Sequence, residues 1–152
     1  MTLYIDNIRF GRGRVLTPVR VISSGIVEKD SFEGSYDGWQ PAGGAWTITT
    51  EWSSDGNYSV KGNLFEFYIP RIRKTVDLTG ISKILFDFNA LGNTVYVKID
   101  GVTVYSKSGG VLLDQEVDVS TYSGEHTIEV ESTGFYMDNV RFVARRVLSP
   151  KR

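Results

Sequence analysis

Hydrophobic and polar residues alternate with a period of two along most of the chain. Val95, Val97 and Ile99, for example, alternate with Tyr96 and Lys98. This pattern is typical of β-strands that have one buried face and one solvated face. No segment of ten residues has its apolar positions at a helical period, so we expect helix to be limited to short turns.

Turn-forming clusters divide this pattern into short strands. Asp100 and Gly101 separate two alternating runs and predict a tight hairpin, because both turn positions tolerate a positive φ. Turns that recur about every 8–12 residues indicate a sandwich or a barrel. The predicted strands are residues 2–10, 25–33, 45–50, 57–61, 64–69, 71–76, 83–90, 94–99, 102–107, 113–119, 126–131 and 135–143. These strands are too many for one small sheet. We therefore predict an all-β, two-sheet antiparallel sandwich with an extra N-terminal strand.

The extra strand comes from an internal repeat. Residues 4–10 (Tyr-Ile-Asp-Asn-Ile-Arg-Phe) match residues 136–142 (Tyr-Met-Asp-Asn-Val-Arg-Phe), and 9 of the 15 aligned positions from residue 4 to residue 18 are identical. We therefore predict a β-sandwich domain over residues 21–152, preceded by a duplicated strand and linker over residues 1–20. Such a repeat is typical of a tandem array or of a head-to-tail polymer.

Composition narrows the possible functions. The 152 residues suit one domain, and the absence of Cys excludes disulfides, thiol nucleophiles and Cys-ligated metal sites. The only histidine, His126, follows a turn and resembles an exposed strand residue, so we expect no catalytic triad. A glycosidase needs only two carboxylates, and such a pair stays open among the 18 acids. No feature of the sequence singles one out, and we expect no enzyme activity. No apolar run approaches the about 18 residues of a membrane-spanning helix.

Charge is unevenly distributed along the chain. The net charge is −1, which gives no overall basic surface for nucleic acid. Residues 1–20 nevertheless carry +3 and residues 138–152 carry +4, so the body between them carries −8. Two interpretations remain open: the basic ends are simply solvated, or they contact the acidic body of another copy.

Four motifs, in order, carry a resemblance to a known family. They are Ser-Phe-Glu-Gly-Ser-Tyr-Asp-Gly-Trp at 31–39, Ser-Asp-Gly-Asn-Tyr-Ser-Val-Lys at 54–61, Thr-Val-Asp-Leu at 75–78 leading into 85–90, and the repeated segment 136–142. Together they resemble the carbohydrate-binding modules with a galactose-binding-like jelly roll. The resemblance implies a jelly-roll sandwich, non-catalytic binding of a polysaccharide or other glycan, and an extracellular or cell-surface location. The same fold also hosts adhesion and structural domains.

The resemblance further implies a structural calcium ion that joins the first strand of the unit to the last. Carried over by motif, its ligands are the carboxylates of Glu33 and Asp138 and backbone carbonyls near Ser31 and Asn57. Calcium takes 6–8 hard oxygen ligands, so such a mixture is chemically suitable. Read without the resemblance, Glu33 and Asp138 are ordinary acids of a turn and an edge strand.

The alternation also predicts a ligand face. It assigns to the core Phe86, Phe88, Val95, Val97, Ile99, Val102 and Val104. The opposite face then carries Asp87, Asn89, Tyr96, Lys98, Thr103 and Tyr105, joined by Glu66 and Tyr68. Aromatic rings stack on sugar rings while polar groups bond the hydroxyls, so this face is a candidate sugar platform. The alternative is a solvated sheet face on which tyrosines are common anyway.

The tryptophans differ in their expected exposure. The resemblance implies that Trp39 packs against the core, and Trp46 shares its phase with Ile48 and should also be buried. Trp52 follows a strand in a loop rich in Ser and Gly and is the candidate ligand contact. A second function stays open beside glycan binding. The chain could be a structural subunit of an extracellular filament, surface layer or fibre that assembles head-to-tail, with residues 1–10 adding a strand to a neighbouring copy.

Overall fold

The computed structural model describes residues 25–145 in full and the backbone of residues 20–22 and 147–149. Its strands are β1 Arg20–Ile22, β2 Ile26–Asp30, β3 Gln40–Gly43, β4 Ala45–Thr49, β5 Ser59–Asn63, β6 Arg71–Asp77, β7 Ile81–Asn89, β8 Thr94–Ile99, β9 Val102–Ser108, β10 Val111–Asp118, β11 Glu125–Glu131, β12 Gly134–Ala144 and β13 Val147–Ser149. The described residues contain no helix that could cross a membrane. The predicted strand 2–10 lies outside the described residues.

Two antiparallel sheets face each other, as the alternation predicts. The first sheet has the order β10-β7-β12-β5-β4, with β2 also paired to β12, and the second has the order β3-β6-β11-β8-β9. A separate pair joins β1 to β13. The Asp100-Gly101 hairpin is confirmed, with φ values of 50° and 87°.

Alternate residues of both sheets fill the space between them. The fully buried side chains include Trp39, Phe86, Phe88, Phe135 and Met137. Burial of such apolar surface is the main favourable term in folding. Trp39 is therefore a core residue, as expected, and its indole Nε1 donates to Asp30 Oδ2 at 2.9 Å. Trp46 is partly buried and meets Phe135 edge-on at a centroid distance of 5.5 Å.

The inward and outward positions on β9 differ from the prediction. Val97 pairs with Tyr105 but Lys98 pairs with Thr103, so Val104 is an extra residue in β9. This bulge turns Tyr105 toward the core, since each inserted residue reverses the face on which the following side chains lie. The core assignment of Val102 and Val104 is wrong, because they are 64% and 38% exposed.

One predicted strand is absent from the structure, and three short strands were not predicted. Residues 64–69 do not form a strand; they form a small exposed hairpin in which Phe65 bridges Tyr68. Glu66 at its tip has a φ of 57°, a left-handed conformation that ends regular strand geometry. The short strands β1, β3 and β13 lack an alternating pattern long enough to indicate them.

Strand β12, the strand that residues 4–10 duplicate in sequence, lies in the interior of the first sheet. It pairs with β7 on one side, and with β5 and then β2 on the other. The repeated sequence is thus suited to an interior position rather than to a sheet edge.

Candidate functional site

A row of polar and aromatic side chains crosses the outer face of the first sheet. The strand register aligns Asn89 of β7, Tyr136 of β12, Lys61 of β5 and Thr47 of β4. Because side chains alternate between faces, these four project away from the core, but Tyr136 is only 8% exposed. The loop that follows β4 brings Trp52 onto this row, where its ring lies 5.9 Å from that of Tyr136.

Hydrogen bonds hold this group of side chains together. Glu51 Oε1 accepts from Lys61 Nζ at 2.7 Å and from the Tyr136 hydroxyl at 2.8 Å. The Lys61 hydrogen bond lowers the pKa of Glu51, so this carboxyl stays ionised at neutral pH. Lys61 Nζ also lies 5.3 Å from the centre of the Tyr136 ring. We call Glu51, Trp52, Lys61 and Tyr136 the aromatic face.

The aromatic face offers a ligand three kinds of interaction. The Trp52 ring offers a flat apolar surface, the Glu51 carboxylate accepts hydrogen bonds, and the Lys61 ammonium donates them. The described residues offer no comparable arrangement for nucleophilic catalysis. His126 Nδ1 contacts Asp100 at 2.5 Å, but its Nε2 contacts the Ser123 carbonyl at 2.9 Å rather than a hydroxyl.

Solved structures resemble this architecture, whereas no protein-family model and no curated protein sequence matches the chain. The C-terminal family 22 carbohydrate-binding module of Clostridium thermocellum Xyn10B has a TM-score of 0.57 at 16% identity, covering 80% of this chain and 94% of that one. The CBM22-1 xylan-binding domain of Paenibacillus barcinonensis Xyn10C has a TM-score of 0.52 at 17% identity, covering 86% and 98%. The K2 cleaved adhesin domain of Lys-gingipain has a TM-score of 0.58 at 15% identity, covering 76% and 96%.

The chain has the jelly-roll fold of the carbohydrate-binding modules. The identities of 15–17% show the fold alone, and an adhesin domain shares it. The function of this jelly roll therefore has to be argued from its own residues.

The predicted ligand residues do not share one face of the jelly roll. Asp87 belongs to the first sheet, whereas Tyr96 and Lys98 belong to β8 of the second sheet. Tyr68 lies in the exposed hairpin between β5 and β6, and is 59% exposed. The prediction of one continuous platform is wrong, because the chain passes from one sheet to the other between β7 and β8.

Tyr105 is the clearest departure from the predicted platform. The β9 bulge directs its ring toward Phe88, 6.2 Å away, and its hydroxyl donates to Gln115 Oε1 at 2.8 Å. Burial raises the pKa of Tyr105 to about 12. Tyr105 consequently contributes to packing rather than to an outer surface.

Asp87 is also committed to structural contacts. It is 4% exposed, and its Oδ1 accepts from Arg141 Nη2 and from the Asp114 backbone N–H, each at 2.8 Å. Its Oδ2 accepts from the Ser54 hydroxyl at 2.6 Å and from Asn139 Nδ2 at 3.0 Å. These bonds fasten β10 and the loop after β4 to the sheet.

The carboxylates of Glu33 and Asp138, the predicted calcium ligands, accept hydrogen bonds from backbone N–H groups of the loop after β4. Glu33 accepts from the backbone N–H groups of Asn57 and Tyr58, each at 2.9 Å. Asp138 Oδ2 accepts from the N–H groups of Ser54 and Asp55 at 2.9 Å. Ser31 follows the end of β2, and among the described residues no group of three or more acidic or histidine side chains could hold a metal ion. This donor-lined arrangement does not fit a calcium cage.

Three members of the aromatic face were not singled out as ligand residues by the sequence. Tyr136 stands in the repeated motif, one residue before the inward-facing Met137, so its outward direction follows from alternation. Glu51 and Lys61 are brought to it by the β4–β5 pairing, which no local pattern specifies. Trp52, the candidate ligand contact, is partly exposed, as is Trp46.

Proposed function

We propose that the chain is a non-catalytic module that binds a glycan on the aromatic face. The observation that carries this proposal is the Trp52 ring beside Tyr136, with Glu51 and Lys61 bonded at its edge. A sugar ring has an apolar face and a rim of hydroxyls, which matches this combination of groups. The jelly-roll neighbours support the proposal, because they include a xylan-binding domain. An extracellular or cell-surface location belongs to the same proposal.

Calcium is left out of this proposal. The Glu33 and Asp138 carboxylates already accept backbone N–H groups. The Asp138 bonds join the loop to β12, and the Glu33 bonds join it to the segment between β2 and β3.

A substitution at Trp52 tests the proposal directly. We expect Trp52→Ala to lower affinity for a bound polysaccharide at least tenfold, because truncation of an aromatic hot-spot residue costs about 2 kcal/mol or more and about 1.4 kcal/mol is a factor of ten. Affinity gels and calorimetry with soluble xylan, mannan, galactan and glucan measure the effect. Phe67→Ala is the matched control, since it removes an aromatic ring that is 96% exposed in the hairpin between β5 and β6.

The outcomes separate binding from stability. Unchanged affinity of Trp52→Ala for a polysaccharide that the wild type binds would reject the aromatic face. Failure of the folded wild type to bind any member of a wide glycan panel would reject glycan binding itself. Melting temperatures of both variants that match that of the wild type would show that the fold is preserved.

We propose a structural assembly unit as the second candidate, because residues 4–10 duplicate the sequence of β12. In such an assembly, residues 4–10 of one copy take the place of β12 in another copy. There they pair with β7 on one side and with β5 and β2 on the other. This differs from addition at a sheet edge, and its backbone bonds would supply the affinity.

A further inference from the structure

Strand β4 forms an edge of the first sheet that lacks the usual protection against strand pairing. It pairs with β5 on one side without a register shift, and among residues 25–145 no strand pairs with its other side. Its sequence, Ala-Trp-Thr-Ile-Thr, contains no charge and no proline. Such an edge presents a row of unpaired backbone N–H and C=O groups that can pair with a strand of another chain.

The other sheet edges that the structure describes are protected. β3 contains Pro41, which cannot donate to a strand ladder, and β2 contains the charged residues Glu28 and Lys29. β9 is interrupted by the bulge at Val104, and β10 by a register shift before Gln115 and by several acidic residues. Bulges, prolines and charges are the means by which proteins prevent pairing at sheet edges. Because β4 has none of them, it is the described edge best suited to pairing.

The side chains of β4 complement those of a second copy. In an antiparallel pair with a two-fold axis at Thr47, the two Thr47 residues lie opposite each other, and Trp46 of each copy lies opposite Ile48 of the other. Trp46 and Ile48 pack against the core but remain partly exposed at this edge. Opposite residues of a strand pair share a face, so Ile48 of each copy would cover the Trp46 ring of the other. A second copy is therefore the occupant that this edge fits.

The same pairing would align two aromatic faces. The strand register runs from Tyr136 through Lys61 to Thr47, so pairing at Thr47 continues this row into the second copy on the same side of the sheet. Neighbouring strands lie about 4.8 Å apart, and the five steps between the two Tyr136 residues would separate them by about 24 Å. One extended polysaccharide chain can then contact both aromatic faces.

We propose that two copies of the chain pair edge to edge through β4 when both bind the same polysaccharide chain. This inference rests on the proposed function, glycan binding on the aromatic face, and adds cooperative binding to it. Stable interfaces involve about 20–30 residues per partner, far more than the 5 residues of β4 supply. The free chain therefore stays monomeric, and the polysaccharide drives pairing because it raises the effective concentration of the second copy.

Charge substitutions at the two-fold position test the pairing. We expect the wild type to bind cooperatively to the polysaccharide identified in the Trp52 experiment, and without cooperativity to a trisaccharide of the same sugar. Thr47→Lys and Thr47→Glu should each abolish the cooperativity, because like charges directly opposite each other destabilise a strand pair. An equal mixture of the two variants should restore it. Ser106→Lys and Ser106→Glu, at an exposed position of the edge strand β9, are the matched controls.

A disulfide trap tests the paired edge without relying on cooperativity. The chain has no cysteine, so Thr47→Cys introduces a single thiol, and opposite residues of a strand pair are close enough to form a disulfide. Glutathione disulfide serves as the oxidant. With polysaccharide present, we expect Thr47→Cys to form a covalent dimer at least tenfold faster than Ser106→Cys, which controls for crowding of copies on the same polysaccharide.

The outcomes separate the pairing from glycan binding itself. Non-cooperative binding that still depends on Trp52, or equal cross-linking rates of the two cysteine variants, would reject the pairing and leave the aromatic face in place. In a chain that binds no glycan, cross-linking that favours Thr47→Cys at millimolar protein would reject the aromatic face and support β4 as a pairing edge. Absence of both would overturn both proposals.

Discussion

Lys74 shows how one buried charge joins the two sheets. Its side chain is 11% exposed, and its Nζ donates to Asp30 Oδ2 at 2.8 Å, to the Asp37 carbonyl at 2.7 Å and to Glu28. Asp30 and Glu28 belong to β2 of the first sheet, and Lys74 to β6 of the second. Burial, followed by a hydrogen bond with Glu28, raises the pKa of Asp30 to about 7.

The stability effect of Lys74 should depend on pH. Because the pKa of Asp30 is higher in the folded state, the contribution of Asp30 to stability falls as pH rises from about 4 to about 7. Lys74 offsets this loss once Asp30 is ionised. We expect Lys74→Met to lower the free energy of unfolding by about 3 kcal/mol at pH 8.5 and by clearly less at pH 5. Urea unfolding at both values measures it, with the exposed Lys107→Met as control. An equal loss at both values would contradict this account.

Individual residues also show where sequence reasoning reached its limit. Alternation assigns Phe86 and Phe88 to the core correctly, because a strand's period is local information, whereas the burial of Trp39 is an expectation that comes from the resemblance. The reversal at Tyr105 depends on a single extra residue in β9, and the separation of Asp87 from Tyr96 depends on which sheet each strand joins. Both are decided by pairing between strands rather than by local pattern.

At the scale of elements, the loop of residues 52–58 is held by two acids that are distant in sequence, Glu33 between β2 and β3 and Asp138 of β12. Gly56 makes the approach of Glu33 possible: a Cβ at Gly56 would lie 2.6 Å from the carboxyl carbon of Glu33. Gly56 also has a φ of 70°, which disfavours other residues. This loop starts with Trp52, so its docking also positions the aromatic face.

Two glycine substitutions separate the cost of the left-handed backbone conformation from the cost of the collision with Glu33. Gly80 has a φ of 80° with open space around its would-be Cβ, so Gly80→Ala should cost only the left-handed backbone penalty of about 1–2 kcal/mol. Gly56→Ala adds the collision with Glu33, and we expect it to cost at least about 1 kcal/mol more than Gly80→Ala. Denaturant unfolding compares the two variants. Equal losses would show that Glu33 does not hold the loop.

The hydrogen bonds of the loop of residues 52–58 also lead to a prediction about calcium binding. Because backbone N–H groups already satisfy Glu33 and Asp138, we expect the melting temperature to be the same in EDTA and in millimolar calcium. A higher melting temperature in calcium that disappears in Glu33→Gln would instead support the calcium site implied by the resemblance. Calorimetry of the wild type and of this variant provides the comparison.

At the scale of the whole molecule, the two candidate functions differ in oligomeric state. Glycan binding alone predicts a monomer at all concentrations, whereas exchange of the duplicated strand predicts mass that grows with concentration. Light scattering after size-exclusion chromatography should distinguish them, using the full chain and a chain that begins at Arg20. A concentration-dependent mass that persists without residues 1–19 would exclude the duplicated strand as its cause.

The pairing of β1 with β13 has a consequence for protein engineering. Arg20 lies opposite Ser149 and Ile22 opposite Val147, so the chain approaches and leaves the sandwich along adjacent, oppositely directed paths. Neighbouring ends are the condition under which circular permutation succeeds. A permutant that joins Ser149 to Arg20 by a short linker, and whose new ends lie at Glu66 in the exposed hairpin, should keep the fold. The new ends at that hairpin could then be fused to another protein.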